Sequence, residues 1–170
     1  MLIDPAICLS ELRPALESHP PRSILAVGER AAEPFSEYLR NHTSATLTRL
    51  EPTDLATRLD ELERHDLVLI VNTFERLEKA QAAAVIGRFR DLLSKRLYVL
   101  MPSGAGWAGH ASRWEPDELR AYGLSVAARY EVEGKALGLY RHDLYDYKQT
   151  PDWLNARNWA NPELWDKYRW

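Results

Sequence analysis

The stretch that decides the fold is Ile24-Leu25-Ala26-Val27-Gly28, a short apolar run that ends in a glycine. It follows Pro20-Pro21, and so short an apolar run between prolines and a glycine is typical of a central parallel strand. A second run, Leu67 to Val71, has the same character and leads through Asn72-Thr73 into a helical pattern. The two runs predict strands of a buried parallel sheet.

Strands and helices alternate as far as Pro102, where the pattern changes. The predicted strands lie at residues 23–27, 45–50, 67–71, 97–101, 124–132 and 136–142. The predicted helices lie at residues 1–18, 31–42 and 74–94, with shorter ones after Thr53 and near Glu115. Alternation of this kind implies parallel strands joined by right-handed crossovers. The last two strands are joined by Glu133-Gly134, which predicts an antiparallel hairpin.

Composition and charge limit the class of protein. The 170 residues, 45% hydrophobic and 28% charged, are typical of a globular chain with one main domain. A net charge of −3 disfavours a nucleic-acid binder, which stays only as a third hypothesis, because phosphate contacts need a basic surface. No apolar run approaches the ~20 residues that span a bilayer, and no secretion signal is visible. We therefore expect a cytoplasmic protein without a membrane partner, with its single cysteine, Cys8, buried as an apolar residue.

The order of these elements resembles that of class I S-adenosylmethionine-dependent methyltransferases. In that family a parallel sheet comes first and an antiparallel hairpin last, and the agreement covers residues 22–143. Phe74-Glu75-Arg76-Leu77 also resembles the family's Leu-Glu-His-Leu element. The resemblance implies an α/β fold with a mostly parallel sheet flanked by helices. The sheet would be trimmed, because only one helix fits between Glu51 and Leu67, where the family has a third strand.

The cofactor loop of the family is only partly present. In the family the first strand ends in an acid-x-Gly-x-Gly-x-Gly loop, of which this chain keeps Gly28. The acid position is Ala26, and the second and third glycine positions are Arg30 and Ala32. The resemblance therefore implies a diverged domain in which binding of S-adenosylmethionine is weak or lost and the role is one of contacts. The alternative is an active small methyltransferase acting on a small molecule or a protein, so the sequence leaves open whether the chain is an enzyme.

Ligands of open parallel sheets bind beyond the carboxyl ends of the strands, which defines the candidate cofactor site. The candidate cofactor-binding residues are Gly28, Glu29, Glu51, Asn72 and Thr73. Gly28 permits a tight turn and Asn72 offers an amide donor and acceptor. By resemblance, Glu51 matches the ribose-binding acid at the end of the second strand. The alternatives are that Gly28 merely ends a strand and that Glu51 is a solvated residue before a proline.

A second group of candidates belongs to substrate or lid contacts. Gly104-Ala105-Gly106-Trp107-Ala108-Gly109 is a literal G-x-G-x-x-G, but no helix opens within it, as a dinucleotide site requires. It is therefore predicted to be a lid or substrate loop, with Trp107, His110 and Trp114 as contacts. Glu75 is the other candidate for a substrate contact, and the alternative is that it caps or pairs locally near the start of a helix. The five histidines have no paired spacing, so no metal site and no catalytic residue is assigned.

The last 18 residues hold four of the six tryptophans, Trp153, Trp159, Trp165 and Trp170. The first three recur every six residues, and rings spaced in this way turn by about 240° per step on a helix, so they share no face. Two short helical pieces fit better. We expect a domain over residues 1–148 and a Trp-rich tail over 149–170, packed on the domain or on a partner, either another protein or a second copy. The tail lies outside the methyltransferase pattern and resembles the ending of small bacterial proteins.

Overall fold

The computed structural model describes residues 2–104, 106–107 and 109–146. It has one six-stranded sheet of order β2-β1-β3-β4-β6-β5. The strands are β1 Ser23–Val27, β2 Thr46–Leu50, β3 Leu67–Val71, β4 Arg96–Pro102, β5 Ser125–Val132 and β6 Lys135–Asp143. The α-helices are α1 Leu9–Ser18, α2 Ser36–Asn41, α3 Leu55–Arg58, α4 Lys79–Arg88 and α5 Pro116–Ala121. The predicted α/β class is confirmed.

The sheet is parallel over its first four strands and antiparallel at one edge. β1 lies between β2 and β3 and is parallel to both, and β3 is parallel to β4. β6 is antiparallel to β4 and to β5. Between Glu51 and Leu67 the described chain holds a 3₁₀ turn and α3 but no strand, as the sequence predicted.

The middle of the sheet is covered on both faces, which explains why its strands are continuously apolar. All residues of β3 and β4 are buried. Because side chains alternate along a strand, those of one strand enter two separate apolar clusters. Leu25 and Ile70 pack with residues of α4 and α5. Ile24 and Leu69 pack on the other side with residues of α1 and α2.

A buried arginine of the sheet forms hydrogen bonds with the C-terminal end of α1. Arg96, the first residue of β4, is 1% exposed. Its guanidinium donates hydrogen bonds to the carbonyl oxygens of Ala15 and, at 2.6 Å, His19. These carbonyls lie at the C-terminal end of α1, where the helix dipole favours a positive charge. Arg96 therefore caps a helix from a neighbouring strand.

Three predicted helices have different bounds in the structure. The helix predicted for residues 74–94 is wrong as one element: it comprises a 3₁₀ turn Phe74–Arg76, α4 and a π-helical turn Phe89–Leu93. The chain is extended at Leu77 and Glu78, with ψ angles of 151° and 142°. The helix predicted for residues 31–42 is a 3₁₀ turn followed by the six-residue α2.

The first predicted helix, residues 1–18, is likewise divided, into a 3₁₀ turn Pro5–Cys8 and α1. Asp4 caps the turn by accepting a hydrogen bond from the Ala6 amide at 3.0 Å. Apolar periodicity locates a helical stretch but carries little information about where 3₁₀ turns replace α-helical ones, so such bounds are poorly specified by sequence.

The predicted hairpin is confirmed. Glu133 and Gly134 have φ angles of 51° and 71°, which is the left-handed pair of a two-residue turn of type I′. Val132 and Lys135 pair directly across the turn. Among the described helices, none is long and apolar enough to cross a membrane. The boundary predicted at residue 148 and the tryptophans Trp153, Trp159 and Trp165 lie outside the described residues.

Candidate functional site

Gly28 brings the loop after β1 into contact with the backbone of β3. Its φ angle is 104°, and a Cβ atom on it would lie 1.9 Å from the carbonyl oxygen of Val71. Its N–H donates to the carbonyl oxygen of Leu50 at 2.9 Å, which joins the end of β2 to the loop. The requirement for glycine therefore follows from packing within the sheet, without any ligand.

The next two residues of the loop are held by ion pairs. Arg30 has a φ angle of 60° and binds Glu33 through two hydrogen bonds of 2.7 and 2.8 Å. The Arg30 guanidinium also lies 3.6 Å from the Asp4 carboxylate. Glu29 accepts a hydrogen bond of 3.2 Å from Arg76, which follows β3. The loop is thus tied to the N-terminal segment and to the end of β3.

Asn72 is bound by the N-terminal segment. It is 2% exposed, and its φ angle of 52° turns its side chain toward residue 3. Its Oδ1 accepts from the N–H of Ile3 at 3.0 Å, and its Nδ2 donates to the carbonyl oxygen of Ile3 at 3.0 Å. Ile3 itself is buried in the apolar cluster beside α1. Neighbouring Thr73 donates its hydroxyl to the carbonyl oxygen of Val71 at 2.8 Å.

Among the five predicted cofactor-binding residues, Glu51 is the exposed one. It directly follows Leu50, whose carbonyl oxygen binds Gly28, so its backbone lies at the same edge of the sheet as the loop. Its own carbonyl oxygen accepts from Asp54 at 3.0 Å. Among the described residues its carboxylate has no hydrogen bond or ion pair. The structure therefore brings all five predicted cofactor residues to one edge, but four of them already bind other parts of the chain.

Glu75 is buried beneath the loop that precedes α5. It is 4% exposed, and its Oε2 has no hydrogen-bond partner among the described residues. Burial raises the pKa of this carboxyl group, and nearby backbone N–H groups and Arg76 offset that shift only in part. Its carbonyl oxygen accepts from Ala111 at 2.8 Å, and Ser112 donates its hydroxyl to the carbonyl oxygen of Phe74 at 2.9 Å. A buried carboxyl group with a raised pKa is a functional-site candidate.

Trp107 and His110 occupy different environments. Trp107 is 3% exposed and donates its indole N–H to the carbonyl oxygen of Ala136 at 2.8 Å. The Lys135 ammonium lies 5.2 Å from its ring centroid. His110 stacks on Trp107 at 5.6 Å and is half-buried, and burial followed by nearby positive charges lowers its pKa. The predicted lid contact Trp107 is therefore packed against the hairpin, and His110 is the more accessible ring.

Neither a metal centre nor a reactive thiol is present in the part of the chain that the structure describes. No group of three or more His, Cys, Asp or Glu side chains there could hold a metal ion. Cys8 is fully buried, and burial raises the pKa of its thiol to about 12. The thiol donates to the carbonyl oxygen of Pro5 at 3.0 Å. The prediction that Cys8 is a buried apolar residue is confirmed.

Sequence reasoning missed the contact between Ile3 and Asn72. The two residues are 69 positions apart, and Ile3 contributes only backbone groups, which leave no signal in a sequence. The burial of Glu75 was missed for a similar reason, because an acid near a helix start is typical of an exposed cap. Of these residues, only Asn72 could be recognised from the sequence as part of a site, because its amide directly follows a buried strand.

Replacing Glu75 by glutamine is expected to stabilise the protein at pH 7 by about 1 kcal/mol, because the buried carboxylate lacks a full set of partners. Since the folded-state pKa is raised, the stability contributed by Glu75 is present below its unfolded pKa and is lost as pH rises through the folded value. The advantage of Glu75→Gln should therefore shrink toward pH 4. Urea unfolding between pH 4 and 8 measures it, with exposed Glu78→Gln as the control. Parallel pH profiles for Glu75→Gln and the parent would contradict the prediction.

The fold is similar to solved structures that include two methyltransferases. The N-terminal domain of EvdMO1, solved in the presence of S-adenosylhomocysteine and D-fucose, matches with a TM-score of 0.54 and 12% identity over 82% of each chain. A Burkholderia thailandensis 1,6-didemethyltoxoflavin-N1-methyltransferase matches with a TM-score of 0.53 and 17% identity, over 79% of this chain and 76% of that one. Magnesium protoporphyrin IX methyltransferase from Synechocystis PCC 6803 gives 0.50 and 12%, over 79% and 81%. Identities this low show the fold alone, which is methyltransferase-like.

Sequence comparison gives a narrower result. No curated protein matches the chain. A family described as a family of unknown function, DUF6231, matches residues 7–170, which include both the sheet and the Trp-rich tail. The chain therefore belongs to the DUF6231 family.

Proposed function

We propose that this protein is a diverged methyltransferase-like domain that binds S-adenosylmethionine weakly or not at all and works through contacts with other molecules. The observation that carries the proposal is the pair of hydrogen bonds between Asn72 and Ile3. They use both the donor and the acceptor that Asn72 would offer to a cofactor. The N-terminal segment thus occupies the polar position at the end of β3.

The other polar groups at this edge support the same conclusion. The Gly28 N–H is bound to Leu50, the Thr73 hydroxyl to Val71, and Glu29 to Arg76. A cofactor that used these groups would have to replace these bonds, and leaving a buried polar group unpaired costs about 1–3 kcal/mol. Arg30 puts a side chain where the family's loop has glycine. With these bonds in place, the residues present do not fit the cofactor.

Glu75 favours a second candidate function, an active methyltransferase. Its Oε2 is buried without a described partner, close to the end of β3, and its pKa is raised by burial. A buried carboxyl group with a raised pKa is a candidate for general acid–base work. The structural neighbours named above include two solved with S-adenosylhomocysteine bound. This candidate requires the N-terminal segment to leave Asn72.

Calorimetric titration of the full chain with S-adenosylmethionine and S-adenosylhomocysteine separates the two functions. We expect no binding heat at millimolar ligand. Glu51→Ala tests the ribose anchor, and the exposed Glu61→Ala is its matched control. Micromolar binding that Glu51→Ala abolishes and Glu61→Ala preserves would overturn the proposal and establish the cofactor site. Binding that neither variant changes would also overturn it, with the cofactor held elsewhere.

A further inference from the structure

A groove lies between α1 and α2, away from the edge of the sheet described above. Its volume is about 410 Å³, within the ~300–1,000 Å³ of pockets that bury whole organic ligands. Half of its lining is apolar or aromatic, from Leu9, Leu16, Pro20, Pro34 and Tyr38, and the other half is polar or charged. Leu9 lies outside the apolar cluster beside α1 and is 39% exposed. The groove is thus a concave, half-apolar surface large enough for an aromatic side chain.

The described chain ends between the C-terminal end of α1 and β6, where Asp146 pairs with Arg141 at 2.8 Å. Tyr145 stacks on His19 with ring centroids 4.3 Å apart, and the Arg96 guanidinium lies 5.9 Å from the Tyr145 ring. His19 directly precedes Pro20, which lines the groove. Tyr145, one residue before the end of the described chain, therefore lies at the C-terminal end of α1, close to one end of the groove.

The length and the residue types of the segment after Asp146 both suit the groove. Seven residues lead from Asp146 to Trp153, and an extended chain of that length spans up to about 23 Å. The 10 residues of α1 are about 15 Å long, so the ring of Trp153 can reach any part of the groove. An indole ring buries a large apolar area, and the Arg13 side chain at the rim can lie over its face. Both tryptophans that the structure describes, Trp107 and Trp114, are buried.

We propose that the Trp-rich tail, residues 149–170, docks in the groove between α1 and α2 of its own chain, with Trp153 as the anchor. The tail then covers Leu9 and extends the apolar cluster beside α1. This inference does not depend on the proposed function, because the groove and the edge that holds Asn72 are separate. It commits to the chain's own tail rather than to a second copy or another protein.

A spin label in the tail tests the docking in the full chain. Asn155→Cys supplies the attachment site, while Cys8 is fully buried and its thiol pKa is raised, so it will not react. We expect the backbone amide signals of Leu9, Leu16 and Tyr38 to lose most of their intensity in a ¹⁵N spectrum. The amide of Leu92, which lies outside the groove, should keep its intensity. No loss at the groove, or loss centred elsewhere, would overturn the proposal.

Two variants and a mixed sample complete the test. Leu9→Asp should abolish the loss of signal, and an acid at the first position of α1 favours the helix, so folding is preserved. Leu92→Asp, at a leucine that is 60% exposed, is the matched control and should change nothing. Trp153→Ala should also abolish the loss without touching the described domain. In the mixed sample, the spin label is on unlabelled-nitrogen chains and the ¹⁵N chains carry no spin label. A loss of intensity at the groove amides in this sample would mean that a second copy supplies the tail, which overturns the proposal.

Discussion

Gly28→Ala is expected to destabilise the protein by about 3–5 kcal/mol, because the added methyl group meets backbone that cannot move aside. The Cβ atom would lie 1.9 Å from the carbonyl oxygen of Val71 and 2.9 Å from Oγ1 of Thr73. The φ angle of 104° adds a strain that only glycine avoids. In a domain of this size the loss corresponds to a fall of about 10 °C in Tm. Calorimetric and urea unfolding measure it.

Two glycine variants separate the causes of this effect. Gly134→Ala has a φ angle of 71° but nothing within 4 Å, so it isolates backbone strain and should cost about 1 kcal/mol. Gly87→Ala lies inside α4 with nothing within 4 Å and should stabilise by about 1 kcal/mol. A Gly28→Ala protein as stable as Gly134→Ala would mean that the loop does not pack against β3 as described. That outcome would favour the role in cofactor binding that the sequence predicted for Gly28.

Arg96→Met is expected to cost about 3 kcal/mol, because two carbonyl oxygens at the end of α1 lose charge-assisted hydrogen bonds. Methionine preserves much of the buried volume, so the loss reports the hydrogen bonds rather than a cavity. Arg96→Lys keeps the charge but loses the fork that reaches Ala15 and His19 together, and should recover only part of the stability. Hydrogen exchange should show the loss of protection concentrated in α1.

The control for this prediction is Arg49→Met, on the exposed side of β2, which should change stability by less than about 0.5 kcal/mol. If Arg96→Met left the free energy of unfolding unchanged, burying the guanidinium would cost as much as its two hydrogen bonds contribute. In that case α1 would be held by its apolar contacts alone. Arg96→Met should also weaken the stacking of Tyr145 on His19, since the guanidinium lies against both.

The elements that the sequence predicted correctly are those with a strong local pattern. Leu67 to Val71 is apolar at every position, and only a strand buried on both faces requires that. Glu133-Gly134 has the residue types that a two-residue hairpin turn needs. The helix predicted across Leu77 and Glu78 was wrong because its apolar spacing continues through a point where the backbone extends. Spacing describes which face is buried and says little about such a break.

The sequence by itself determined the order of strands and helices, the hairpin and the edge of the sheet where Gly28, Glu51 and Asn72 meet. Periodicity and turn chemistry are local properties, so they can be recognised in the chain. Only the tertiary structure decided what those residues bind. The partner of Asn72 is a backbone 69 residues away, and the reason for Gly28 is the carbonyl oxygen of another strand. Contacts made through backbone atoms across the fold depend on how the elements pack, and no residue type encodes them.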